Sequence, residues 1–402
     1  MKHLNILAYC AISLLSFSSA FAAQPWDAPY QGVDATGANV IGLWHFDSDA
    51  PGKDASGHGH DVELRGKDSH FVPNGKFGGA LEVNDKTEIN DTRQGVVAKD
   101  SDALNPKGAF TIELWMSPNE KLTSGAVTNS FSFLVDKKYY VATSTSPAEN
   151  TGYFLALLKA GDKFIVQAQL GFGKDSVVIS SEPQTFVADQ WYHIALTYDG
   201  KGGVIIYRGD ARIAQVHLEG RGAIAAGAQP FVIGDRVGST GNRFYGRIDE
   251  VRLSNSAQKY VSGKVLLQDV SGRTAFYRME KNASVRMKVF NDTLQPIRGA
   301  SVHLMNGGIP LKSIPLPELQ PDKSTFVTVP LNVSLRPDNY NLNATVMSAN
   351  QKALGDATVF PITIVPRVLP DKFPVVFWAA TDDYKAIRDI GFTGELVFLT
   401  DY

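Results

Sequence analysis

The chain has 402 residues, with 39 basic and 41 acidic side chains and a formal net charge of −2. That length holds about two to four domains, and the near-neutral balance supplies no field for gripping nucleic acid or an anionic lipid surface. The single cysteine, Cys10, rules out a disulfide framework and a four-thiolate zinc site.

Residues 1–22 read as a secretory signal. Lys2 and His3 open it, Ile6 to Phe17 forms its apolar run, and Ala20-Phe21-Ala22 supplies small residues at a cleavage site. The run is too short to span a bilayer comfortably. Cleavage discards Cys10, and no later segment is long and apolar enough to span. The expected product is therefore soluble, without thiols, and secreted, periplasmic or at the cell surface.

Residues 23–38 form a lead-in containing Gly, Ala and Pro. From 39 to 258 the text is short alternating runs broken by Gly, Asp and Asn. Phe110-Thr111-Ile112-Glu113-Leu114-Trp115-Met116 and Trp191-Tyr192-His193-Ile194-Ala195-Leu196 are examples. Period-two alternation predicts half-buried strands, and about 220 residues of them fit one large antiparallel sandwich. A second β stretch, 263–366, carries Ser284 to Phe290 and Asn341 to Val346 in the same pattern. Its size suits a small immunoglobulin-like sandwich lacking the disulfide. Residues 367–402 change character: a Pro-punctuated linker, the apolar run Val375 to Ala379, a short helical pattern, and Glu395 to Leu399. Strand, helix, strand is the opening of a βαβ unit. Such a unit cannot stand alone, so the sequence reads as part of a longer protein. The expected fold class is mainly β, with a jelly-roll sandwich, a small immunoglobulin-like sandwich and a truncated βαβ segment.

The first β region resembles the laminin-G-like, concanavalin A-like jelly roll. Six pieces in order carry the resemblance: Leu43 to Asp47, Asp54 to Asp61, Gly75 to Leu81, Phe110 to Trp115, Trp191 to Ala195, and Gly246 to Arg252. It implies two curved sheets whose concave face or rim loops bind glycans in many modules and proteins in others. The last 35 or so residues look like the start of a glycoside-hydrolase barrel. If so, its catalytic carboxylates would lie beyond Tyr402. Trp378, Asp382, Asp383 and Asp401 sit at or just after the barrel-like strand ends.

The resemblance also implies a structural calcium, for which Asp47, Asp54 and Asp249 are the candidate ligands, because first and last strands of this fold are neighbours. The rival reading is an Asx-turn at Asp54 and a salt bridge at Asp249. His58 and His60 alternate as metal ligands do, yet have no third ligand nearby in sequence. Trp44, Trp115 and Trp191 lie inside alternating strands and read as core before they read as sugar platforms. Loop residues are better ligand candidates: Tyr139, Tyr140, Phe172, Arg243, Phe244 and Tyr245. Arg208-Gly209-Asp210 reads as a hairpin turn before it reads as an adhesion motif. No catalytic set is visible. Glu113 stands alone, without the paired carboxylates of jelly-roll glycanases.

The expectation is a non-catalytic, carbohydrate-binding front portion of a secreted multidomain glycoside hydrolase, tethering a catalytic barrel to its polysaccharide. The alternative is an extracellular adhesion or scaffold protein whose sandwiches hold a protein partner.

Overall fold

The computed structural model describes residues 24–83, 93–126, 131–138, 148–238, 242–306 and 308–366, together with 376–377, 385, 389 and 394–395. The chain divides into two compact units, 1–262 and 263–402. Both are built almost wholly of strands, and among the described residues no helix exceeds four residues. None is long and apolar enough to cross a membrane.

The first unit is a sandwich of two sheets. One has eight strands. Its order runs Ala211–His217, Gly203–Arg208, Tyr192–Tyr198, Phe110–Pro118, Gly246–Ser254, Ala80–Val83, Ser69–Val72, and Val40–Trp44 also pairs with Gly246–Ser254. The other has seven, in the order Ser176–Ser180, Lys163–Gly171, Tyr153–Ala160, Phe131–Asp136, Phe231–Ile233, Val96–Ala98, Glu63–Leu64. Every pairing in the unit's two sheets is antiparallel.

Alternation decides which side chains meet between the sheets. Phe110, Ile112, Leu114 and Met116 point inward from one strand, and they join Leu155, Leu157, Val166, Ala168 and Leu170 from the facing sheet in one core. Trp44 is fully buried there, stacked on Phe231 at 5.1 Å, with its indole Nε1 donating to the His60 carbonyl at 2.8 Å.

The strand Phe110–Pro118 is buried on both faces rather than half-buried. The reason is the segment read as a lead-in. Trp26, Tyr30 and Ala35 from that segment, with Tyr260 from the far end of the unit, pack on the outer side of the eight-stranded sheet. They cover Trp115, Ala195 and Tyr207, and form a second apolar cluster. At the sheet's edge Gly209-Asp210 makes the tight turn between Gly203–Arg208 and Ala211–His217, with Gly209 at φ +59°. The Arg-Gly-Asp triplet is thus a hairpin turn.

The second unit holds a three-stranded sheet (Lys264–Asp269, Ser284–Asp292, Ser324–Pro330) and a five-stranded sheet (Ala275–Tyr277, Thr358–Val365, Asp338–Met347, Ser301–Asn306, Ile309–Pro315). Val285, Met287 and Val289 alternate into one core with Leu342, Ala344 and Val346. Asn291, the acceptor of one Asn-x-Thr sequence, is fully buried with its amide hydrogen-bonded to Gln295 O and Leu319 O. Val376–Phe377 and Gly394–Glu395 form a two-residue parallel pair. Trp378, Asp382, Asp383 and Asp401 lie outside the described residues, as do residues 1–22.

Candidate functional site

On the outer side of the eight-stranded sheet, Glu113 sits at the centre of a closed polar network. Arg252 reaches it through Nε at 2.7 Å and Nη2 at 2.6 Å, His193 donates from Nε2 at 3.0 Å, and the Tyr30 hydroxyl donates to the same carboxylate. Trp26 stacks on His193 at 5.1 Å and caps the set. Burial alone would raise the Glu113 carboxyl, but hydrogen bonds and charge from His193 and Arg252 outweigh it and hold it at about 2. Glu113, His193 and Arg252 are each under 5 % exposed. A carboxylate so fully paired and sealed is a structural anchor with no room for a substrate.

The three carboxylates considered for calcium each accept hydrogen bonds from backbone amides. Asp54 Oδ1 accepts from Leu43 N, Ser56 N and Ser56 Oγ, and Oδ2 accepts from His60 N. That is an Asx-type turn holding the loop to the first strand. Asp47 and Asp249 do meet, at the loop Gly75–Gly79: Asp47 Oδ1 accepts from Gly79 N at 2.7 Å, and Asp249 Oδ2 from Phe77 N at 2.9 Å. Burial, reinforced by the neighbouring Glu250 carboxylate, pushes Asp249 up to about 8. Among the described residues, no group of three or more His, Cys, Asp or Glu side chains is placed to hold a metal. His58 instead turns its Nδ1 toward Ser56 Oγ and Ile41 O.

The outer face of the seven-stranded sheet has different chemistry. Because Ala168 and Leu170 face the core, Gln167 and Gln169 face away from it. By the same alternation Phe154 and Ala156 point away from that core, and with Phe133 they form a separate, fully buried cluster, Phe133 and Phe154 lying 5.0 Å apart. Gln169 stands directly across from Phe154, and Gln167 from Ala156. Arg243 bridges Phe133 on the next segment, and Arg236 lies over the Phe133 ring at 5.9 Å.

Two acids flank this row and spend their oxygens on backbone amides. Asp136 accepts from Lys138 N and Val237 N, each at 2.8 Å. Asp235 accepts from Gln94 N at 2.6 Å and Arg236 N at 2.7 Å. Burial pushes Asp136 up to about 7 and raises Asp235 as well. The carboxylates therefore leave Arg243 without a hydrogen-bonded partner. Arg243 is 1 % exposed, yet Nε, Nη1 and Nη2 make no hydrogen bond, and neither does Gln169 Oε1, on a residue 2 % exposed. The segments 139–147 and 239–241, which adjoin this row in sequence, lie outside the described residues.

Of the ligand candidates read from sequence, Arg243 is the one that joins this row. Tyr139 and Tyr140 fall outside the described residues. Phe244 and Tyr245 turn into the main core, at 0 % and 3 % exposed. Phe172 packs on Tyr198 beneath Arg221, whose guanidinium is held by both oxygens of Asp175. Gln167, Gln169, Phe133, Phe154 and Arg236 were not singled out. Their signal was the outward half of an alternation used only for its inward half.

A family model described as the concanavalin A-like lectin/glucanases superfamily matches residues 90–259. The first unit thus carries a concanavalin A-like lectin/glucanase domain. Among solved structures, the chain is similar to domain 4 of AbnA, an extracellular GH43 arabinanase from Geobacillus stearothermophilus, in complex with arabinotriose. Identity is 16 % and the TM-score 0.39, covering 55 % of this chain and 94 % of that one. It is also similar to the binding domain of Paraclostridial Mosquitocidal Protein 1, at 13 % identity and TM-score 0.41, covering 80 % and 88 %. A third is the binding domain of botulinum neurotoxin serotype D, at 11 % identity and TM-score 0.40, covering 76 % and 72 %. No curated protein matches.

Proposed function

We propose that the first unit is a carbohydrate-binding module. One observation carries the reading: residues 90–259 of this antiparallel sandwich match the family model of the concanavalin A-like lectin/glucanases superfamily. The outer side of the eight-stranded sheet is taken by Trp26, Tyr30 and Tyr260. In this proposal the module is exported by the leader 1–22, and it tethers a glycoside hydrolase domain of the same protein to its polymer. The small sandwich, immunoglobulin-like in this reading, spaces the two, and 367–402 opens the catalytic barrel.

Affinity electrophoresis of the chain through gels containing a panel of polysaccharides tests the reading. Retardation by at least one glycan is expected. Retardation by none, together with capture of a protein partner, would replace it with the adhesion reading.

A further inference from the structure

The cover that Trp26, Tyr30 and Tyr260 lay over the eight-stranded sheet ends short of one edge. Tyr260 meets Tyr207 edge-on at 5.0 Å. Next to that contact, at the hairpin Gly203–Arg208 and Ala211–His217, the sheet carries a groove of about 600 Å³. Such a volume is ordinary for a site that holds a small ligand. Strand alternation builds two of its sides. Val204 and Ile206 enter the core, so Ile205 faces out and forms the floor with Thr197, its cross-strand neighbour. On the edge strand Gln215 stands opposite Ile205 and His217 opposite Gly203, so both side chains share that face. The third side is the segment 257–259, fixed to the sheet where Gln258 N donates to Thr111 Oγ1 at 2.8 Å.

The fold uses the groove's polar groups only in part. Asp199 commits Oδ1 to the amides of Lys201 and Gly203, at 2.7 and 2.8 Å. Its Oδ2 lies beside Gly203, where an added Cβ would stand 2.4 Å away, so glycine at that position leaves the oxygen room. Gln258 commits Nε2 to Ser256 Oγ at 2.9 Å, which leaves its amide oxygen to accept. Asp199, Gln215 and His217 are exposed. The carboxylate of Asp199 and the ammonium of Lys259 line the same groove and offset each other in charge. A ligand that answers these groups is uncharged, carries hydroxyls that both donate and accept, and has an apolar C–H side for Ile205. Resting on the carbohydrate-binding reading above, we propose that this groove is the combining site and takes neutral sugar units. Their hydroxyls donate to Asp199 Oδ2 and Gln258 Oε1 and accept from the Gln215 amide.

The test runs the full chain through native gels containing arabinan, xylan, dextran or polygalacturonate. At least one neutral polymer should retard it, and polygalacturonate should retard it less. Asp199→Asn keeps the contacts of Oδ1 and turns the second oxygen into a donor. That variant and Gln215→Ala should each weaken retardation by the neutral polymer roughly tenfold. Gln215 is exposed on an edge strand, so Gln215→Ala should melt with the parent chain. A second arm needs no variant: diethyl pyrocarbonate labels accessible histidines, read by mass spectrometry. Oligosaccharides of the retarding polymer should slow labelling of His217 several-fold. They should leave His70, exposed on the strand at the opposite edge of the same sheet, unchanged. Retardation that survives both substitutions, or a His217 that the oligosaccharide does not protect, would overturn the groove and leave carbohydrate binding standing. Stronger retardation by polygalacturonate would overturn the neutral assignment. Retardation by no polymer in this set or in the wider panel would overturn both.

Discussion

Glu113 is the residue on which the outer side of the eight-stranded sheet depends. It neutralises Arg252 and orients His193 and Tyr30 out of contact with water. Glu113→Gln keeps the shape but strands the Arg252 charge, so a loss of about 3–5 kcal/mol is expected in urea unfolding. A change under about 1 kcal/mol would show that the network contributes little. The buried carboxyls also set opposite pH trends. Asp136 at about 7 and Asp249 at about 8 hold protons in the folded chain that the unfolded chain releases above its ordinary carboxyl range. Their contribution therefore grows as the pH falls from about 8 toward 4. Glu113, at about 2 against an ordinary 4.5, does the reverse: its contribution is complete above pH 4.5 and fades toward pH 2. The melting temperature should rise on mild acidification and drop below about pH 4. Asp136→Asn should flatten the rise; an unaltered slope in that variant would assign it to other groups.

At the scale of elements, residues 24–38 carry weight out of proportion to their regular structure, which amounts to one turn at Pro25–Asp27 and one at Val33–Thr36. Trp26 stacks on His193, meets Tyr260 edge-on at 4.8 Å, and accepts the Trp115 indole N–H at its carbonyl. Trp26→Ala should cost about 3–5 kcal/mol, read as a lower melting temperature of the first unit; an unchanged melt would mean the segment is only draped over the sheet. The inward halves of the strands were legible because Val, Ile, Leu and Phe recur at every second position, and Trp44 falls in the core between the sheets as that pattern implies, whereas Trp115 is buried on the outer side beneath Trp26. The outward halves were not. Whether Glu113 or Gln169 meets water, a partner or a covering segment depends on residues far along the chain: Tyr30, His193 and Arg252 lie 83, 80 and 139 positions from Glu113. No local period records that. The run Arg243-Phe244-Tyr245 shows the same limit, since its aromatics enter the core while its cation stays on the other side.

At the scale of the molecule, each unit has its own core. In the first, the oxygens of Asp47, Asp54 and Asp249 are held by backbone amides. The expected outcome is that a chelator leaves its melting unchanged; a drop restored by added calcium would show that these carboxylates rearrange around an ion. The place of Gly246–Ser254 has a temporal consequence. This strand, almost the last of its unit, lies between Phe110–Pro118 and Ala80–Val83 and also pairs with Val40–Trp44. A chain emerging from its N-terminus makes three of the strand's neighbours long before the strand itself, and until it arrives they expose open edges that invite intermolecular pairing. Folding of the whole unit is thus deferred to the synthesis of its final tenth, and the open edges are exposed to mispairing over that interval.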